Sequence, residues 1–389
     1  MTNKRDAIRR SRILTMLILV LCTITASAQH HVVARVTDAQ TGEALPFASV
    51  FIDSNHCTIT NAEGDFVINT DSAAVLRISY VGYKTLHIPV MKVGKMICLE
   101  SDGKILDEVL VMGSESVVKQ VRKKLKKELR KNKRKNSNLF YREMTYTGSQ
   151  CTDFIECFFQ GSTAAQLRNL SLVTGRYFAI ASSQNSVPIN FHSLAQVPVI
   201  NTSLYTGDQV APLHQEFKNL YMMDCQTLID GDEKTYVLTM MARNPKLWSV
   251  EGKLYVDGNT YELLKFEGIG LNERVKRKVQ GHVYILPVDY SFVVNYQHDN
   301  GFTEVQSVHF NLRYRQEGKL FETNGLMFNA GQRTIKGTSK VEFEDNLIKK
   351  IKELGYNRQL WDDMEIVKRT PMEEEAIELM GREDLFGVY

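Results

Sequence analysis

Six short runs rich in β-branched and aromatic residues recur through residues 30–99: VVARV, ASVFI, GDFVI, VLRISYVGY, LHIPV and MICL. The segments between them, DAQTGE, DSNHC, NAEGD and NTDSA, are built from turn-forming residues. Strands this short, spaced about ten residues apart, bury their apolar sides by pairing into a sandwich or a small barrel. No apolar run at helical spacing interrupts them. The first module is therefore expected to be a β-sandwich over residues 29–112.

Its turn chemistry agrees. Gly42 allows a tight turn after Asp38, Pro46 opens the second strand where no ladder donor is needed, and Gly64 turns the chain ahead of Phe66. Tyr80, Gly82 and Tyr83 are read as part of a later strand, with the glycine at a bulge or a close approach. The series V-x-D-x-x-T-G-E-x-L-P-F-A-S-V, then T-N-x-E-G-D-F and I-S-Y-V-G-Y, resembles the carboxypeptidase regulatory-like family. That resemblance implies a seven-stranded, transthyretin-like sandwich and not the peptidase itself. Zinc carboxypeptidases need a His/Glu/His ligand set, and neither H-x-x-E nor H-E-x-x-H occurs in the chain. Asp53, Asn55, Glu63 and Asp65 miss the ligand spacing of an EF-hand and are read as turn residues. Residues 105–113, ILDEVLVMG, resemble the segment that precedes the plug in TonB-dependent receptors carrying the same module. No plug follows and too little chain remains for a receptor barrel, so this segment is assigned to the last sandwich strand.

Residues 118–136, VKQVRKKLKKELRKNKRKN, carry eleven Lys or Arg and one acid, Glu128. Val117, Val121, Leu125 and Leu129 recur at every fourth position and give one apolar stripe on a helix. Glu128 is placed to pair with Lys124 and Lys131. A short basic amphipathic helix is thus expected over residues 113–137, joining two β domains. Three uses compete: a solvated helix packed by its stripe, a peripheral contact with an anionic membrane surface through Lys119, Arg122, Lys123, Lys126 and Arg130, and a nucleic-acid contact through counterion release, which an export signal would rule out, so no nucleic-acid partner is expected.

Beyond residue 138 the alternation returns at 138–147, 235–243, 253–270, 276–321 and 326–336. Asp257-Gly258 and Asn300-Gly301 lie between β-rich flanks and mark hairpins. Successive hairpins build a large antiparallel sheet over residues 138–389. Residues 161–222, with Pro188, Pro198 and Pro212, are expected to hold loops, short helices and an insertion. The segment GKLYVDGNTYELLKFE is similar to strands of the curved half-barrel of periplasmic lipoprotein carriers. The similarity implies a concave face for an apolar ligand or a partner, with Tyr255, Phe266, Tyr284 and Tyr290 as residues lining it. Pro371 suits the first turn of a terminal helix, Glu373, Glu374 and Glu375 its positive end, and Gly381 its stop. This ending and the module order resemble those of exported bacterial proteins that bear the regulatory-like module.

The first residues decide the compartment. Lys4, Arg5, Arg9, Arg10 and Arg12 precede an apolar core of about a dozen residues and then Ala26-Ser27-Ala28, the pattern of a cleaved signal peptide over residues 1–28. That core falls short of the roughly 20 residues a spanning helix needs. The segment carries a net +4, so its removal takes the chain from +3 to −1 and leaves no global field for a polyanion. Five cysteines remain, and one disulfide or buried free thiols are both open; Cys151 and Cys157, six apart, would share a face in a regular strand. The expectation is a mainly β, exported protein of the periplasm or outer membrane that binds a partner or an apolar or glycan ligand without catalysis, with no cofactor and no metal. The alternatives are an envelope scaffold associated with outer-membrane proteins and a hydrolase whose site has no recognised motif.

Overall fold

The computed structural model describes residues 29–53, 56–101, 104–105, 113–131, 136–148, 150–179, 190–201, 209–230, 233–279, 282–299, 301–316, 318–331, 339–342, 345–354, 361 and 366–382. The export-type segment 1–28 and residues 106–112 of the last expected sandwich strand lie outside them.

Seven strands form the N-terminal unit: β1 (Gln29–Asp38), β2 (Ser49–Phe51), β3 (Cys57–Ile59), β4 (Asp65–Asp71), β5 (Val75–Ser79), β6 (Leu86–Pro89) and β7 (Met96–Leu99). They make two sheets, β4-β1-β7 and β3-β2-β5-β6. Val36, Val50, Phe66, Leu76 and Ile78 fill the space between the sheets, each without exposed surface. Gly64 turns with φ +79, and a Cβ there would stand 2.6 Å from the Val36 carbonyl oxygen, so only glycine fits. Tyr80–Tyr83 form a turn with Gly82 at φ +88 and not the strand read from the sequence. Tyr83 crosses to donate to the Asp38 carboxylate at 2.7 Å.

The second unit is one open antiparallel sheet. Its members are β8 (Lys104–Ile105), β9 (Asn136–Thr147), β10 (Gln150–Ser162), β11 (Arg168–Ala179), β12 (Tyr221–Asp230), β13 (Glu233–Ala242), β14 (Ser249–Asp257), β15 (Leu263–Leu271), β16 (Arg274–Val279), β17 (His282–Asp299), β18 (Phe302–Gln316), β19 (Lys319–Asn329) and β20 (Ser339–Lys340). The path β20-β11-β10-β9-β19-β18-β17-β15-β14-β13-β12-β8 does not close, and β16 pairs only with β17. Gly301 closes the β17–β18 hairpin between Asp299 and Phe302. The Asp257-Gly258 turn is longer than two residues: Asp257 Oδ1 accepts from the amides of Asn259 and Thr260, and β15 resumes at Leu263.

Two expectations change. Residues 168–179 form the strand β11 inside the stretch read as loops and short helices. Lys104–Ile105 pairs with β12 of the large sheet, so that end of the sandwich module already belongs to the second unit.

Helix α1 (Ser114–Lys131) lies on one face of this sheet. Val117, Val118, Val121 and Leu125 are buried there in one core with Tyr236, Leu254, Phe266 and Tyr290. The short α2 (Phe217–Leu220) and the turn 192–195 join the same layer. The opposite face meets the sandwich, α3 (Leu347–Leu354) packs on β11, and α4 (Pro371–Arg382) ends the described chain. A register shift between Cys151 and Asp153 flips the sides of β10. Cys151 therefore packs with Met144 and Phe154 on one face while Cys157 is buried on the other, and no disulfide joins the described cysteines. Among the described residues no helix is long and apolar enough to cross a membrane.

Candidate functional site at the domain seam

The sandwich seats β3 and the loop ahead of β2 against the face of the sheet that α1 does not cover. Ile59 is fully buried there with Phe140, Phe158, Phe328, Trp361 and Val367. Hydrogen bonds frame this apolar contact. Ser49 Oγ donates to Gln306 Oε1 at 2.7 Å, Thr58 Oγ1 to the Ile366 carbonyl at 2.8 Å, and Asn61 Nδ2 to the Arg369 carbonyl at 3.3 Å. At the far side of the seam Lys265 lies 5.6 Å from the Tyr80 ring and pairs with Glu267 at 2.6 Å.

Phe47 stands out in the contact. Its φ is +64, a conformation that a bulky side chain rarely adopts. That turn lays its ring on His309 with centroids 3.4 Å apart. His309 is buried, its Nε2 has no hydrogen-bond partner, and burial pushes its pKa down to about 3. It is a neutral imidazole at any ordinary pH.

Beside this pair the two units enclose a cavity of about 380 Å³. Phe47, Val293, Leu326 and Val367 supply its apolar walls. Asn61, Asn311 and Asn324 supply neutral polar groups, and Arg142, Lys368 and Glu373 the charges. Asn311 is held by Glu322 and Asn324 at 3.0 and 2.7 Å. On the opposite face of the sheet Gly325 makes room for the Phe310 ring, which a Cβ there would meet at 2.0 Å.

The charges are neutralised within the protein. Arg142 donates to Glu156 at 2.8 Å, to Glu373 at 3.3 Å and to the Val367 carbonyl at 3.3 Å. Arg176 donates to the other oxygen of Glu156 at 2.9 Å. Burial alone would raise the Glu156 carboxyl, but Arg142, Arg176 and Arg369 outweigh it and hold it down to about 2. Thr370 and Glu373 form a capping box at the start of α4, with Thr370 N to Glu373 Oε2 at 2.8 Å and Glu373 N to Thr370 Oγ1 at 3.3 Å. The cap thus ties α4 to Arg142 and to the rim of the cavity. His309 and Glu373, the imidazole and carboxylate that line it, share no hydrogen bond. Among the described residues no three His, Cys, Asp or Glu side chains gather as a metal site.

Of the residues picked from the sequence, the three whose side chains are described are divided between the two faces of the sheet. Phe266 and Tyr290 are buried in the core under α1, each against Phe292, and Tyr290 donates to the Leu194 carbonyl at 2.6 Å. Tyr255 is on the other face, donating to Glu267 at 2.7 Å. The side chain of Tyr284 lies outside the described residues. A second perturbed group sits in the α1 core. Glu143 accepts from the Tyr141 hydroxyl and from Phe191 N, and burial lifts its carboxyl to about 8. It pins the turn that carries His192.

The unit that supplies Phe47 has counterparts in other proteins. The family model described as CarboxypepD_reg-like domain matches residues 34–111. The matched range takes in the sandwich from Ala34 onward. A domain of this type is a regulatory module and not a catalytic one. Over 110 residues the chain is 33% identical to the TonB-dependent receptor SusC of Bacteroides thetaiotaomicron, a stretch covering 28% of this chain and 11% of the receptor. A LolA superfamily protein from Nitrosomonas europaea aligns over 59% of this chain and 99% of its own at 11% identity, with a TM-score of 0.23, too low to speak for a shared fold.

Proposed function

We propose that the chain is a non-catalytic protein of the cell envelope that binds a partner or a small apolar or glycan ligand in the seam between its sandwich and its sheet. The cavity carries this reading. Apolar and aromatic walls with a few fixed polar groups are the usual make-up of a ligand site, and its volume falls in the usual range. Arg142 pairs with Glu373 and Lys368 acts on Asp65 of the sandwich, so each charge lining the cavity is met within the protein and an uncharged occupant is favoured. The export-type N-terminus and the module shared with a TonB-dependent receptor support an envelope setting.

Thermal-shift screening of the full chain against envelope lipids and neutral glycans tests the reading, with Phe47→Gly as the control that keeps a positive φ while removing the ring. One ligand class should raise the unfolding midpoint of the wild type and not of the variant. A ligand at 100 times its Kd adds about 2.7 kcal/mol. No shift with any class, or equal shifts in both proteins, would refute it.

A further inference from the structure

The outer face of α1 has no role in the seam. Val117, Val118, Val121, Leu125 and Glu128 are buried beneath the helix. On the opposite side stand Lys119, Lys123, Lys126 and Arg130, within about 60° of arc at 3.6 residues per turn. Lys127 and Lys131 extend the same side, so the cations cover about 18 Å of helix length. No described ion pair involves any of these six. The acids near α1 are used elsewhere: Glu115 pairs with Lys218, Glu262 takes Lys124 at 2.6 Å, and Glu128 turns inward to accept from Thr303 N at 3.0 Å. Arg122, counted from the sequence with the membrane-facing residues, also turns inward, donating to the Gln215 carbonyl at 3.2 Å with its guanidinium 5.6 Å from the Phe217 ring.

Only Lys119 among the six has an acid beside it, Glu115, whose carboxylate it shares with Lys218. Lys119–Lys123, Lys123–Lys127, Lys126–Arg130 and Lys127–Lys131 are like-charge neighbours at i,i+4, each a repulsion within the helix. A surface of negative charge relieves all of them at once. The cations stand in one straight row with no aromatic side chain among them, which suits a plane of phosphates and offers no platform for a base. We infer that this face docks the protein on a bilayer surface of anionic phospholipid, held by charge and not by insertion. The inference rests on the envelope reading for where the lipid is met, and on nothing in the seam.

The test is sedimentation of the full chain with vesicles of POPC alone and of POPC with POPG. Residues 1–28 carry cations and an apolar run of their own, so the readout is the POPG-dependent part of binding and its change in a variant. Lys119→Gln, Lys123→Gln and Arg130→Gln together alter three exposed side chains, and an unchanged unfolding midpoint confirms that the fold is kept. That variant should lose about 100-fold in POPG-dependent binding, and the wild type should weaken as salt rises. A variant that binds POPG like the wild type, or a wild type that prefers a single-stranded oligonucleotide at equal phosphate, overturns the inference. Neither outcome touches the seam experiment, which reads ligand binding at Phe47.

Discussion

Replacing Glu156 by Gln keeps the shape of the side chain and removes one charge. The carboxylate is 1% exposed and sits between Arg142 and Arg176 at 2.8 and 2.9 Å. Its pKa falls from 4.5 unfolded to about 2 folded. A depressed carboxyl contributes stability above pH 4.5 that is lost as the pH drops toward 2, and this gap corresponds to about 3 kcal/mol. Removing one partner from a buried ionic group typically costs about 3–5 kcal/mol, because the remaining charges stay buried. The two routes agree. For chains of this size that is a drop of about 5 °C in midpoint. Urea and thermal unfolding by circular dichroism, run from pH 7 to pH 2, would read it. His309 also weakens the wild type in acid, so the difference between wild type and E156Q isolates Glu156. The difference should be full at pH 7 and shrink below pH 4.5. A variant within about 1 kcal/mol of wild type at pH 7 would refute the reasoning.

Three more outcomes follow from the same geometry. Ile59→Ala removes the sandwich's buried contribution to the seam and should cost about 2–4 kcal/mol in chemical unfolding. Gly325→Ala drives a methyl into the Phe310 ring in the core under α1 and should cost about 1–3 kcal/mol in chemical unfolding. Glu143 has its carboxyl raised to about 8, so its neutral form favours folding and stability should decline as the pH rises from 4.5 through 8; E143Q should flatten that decline in a pH series of unfolding midpoints.

Much of the sandwich could be read from the chain because its strands alternate over local turns, and Gly64 marks one of those turns at a position no other residue fits. The sheet was legible where hairpins are tight, as at Gly301. β11 was missed for a physical reason: its polar Arg176 is a buried partner of Glu156 and its Gly175 makes room for Ile351, so inward positions do not look apolar. The seam hid in the same way. Ser307, His309, Asn311 and Arg313 alternate along β18 like a solvent face, but the docked sandwich covers the first part of it. Phe47 and His309 are brought together only by domain docking, and no local pattern announces that. The concave-face residues were drawn from a strand resemblance that says nothing about α1, and α1 fills the face where Phe266 and Tyr290 lie.

A methyl–methyl NOE spectrum of the full chain, labelled at Ile, Leu and Val in a deuterated background, bears most directly on whether sandwich and sheet are one body. Cross-peaks should join the Ile59 methyls to those of Ile366, Val367 or Leu326. An Ile59 with cross-peaks only to its own sandwich would mean that the two units are not docked and that the seam is not there to bind anything.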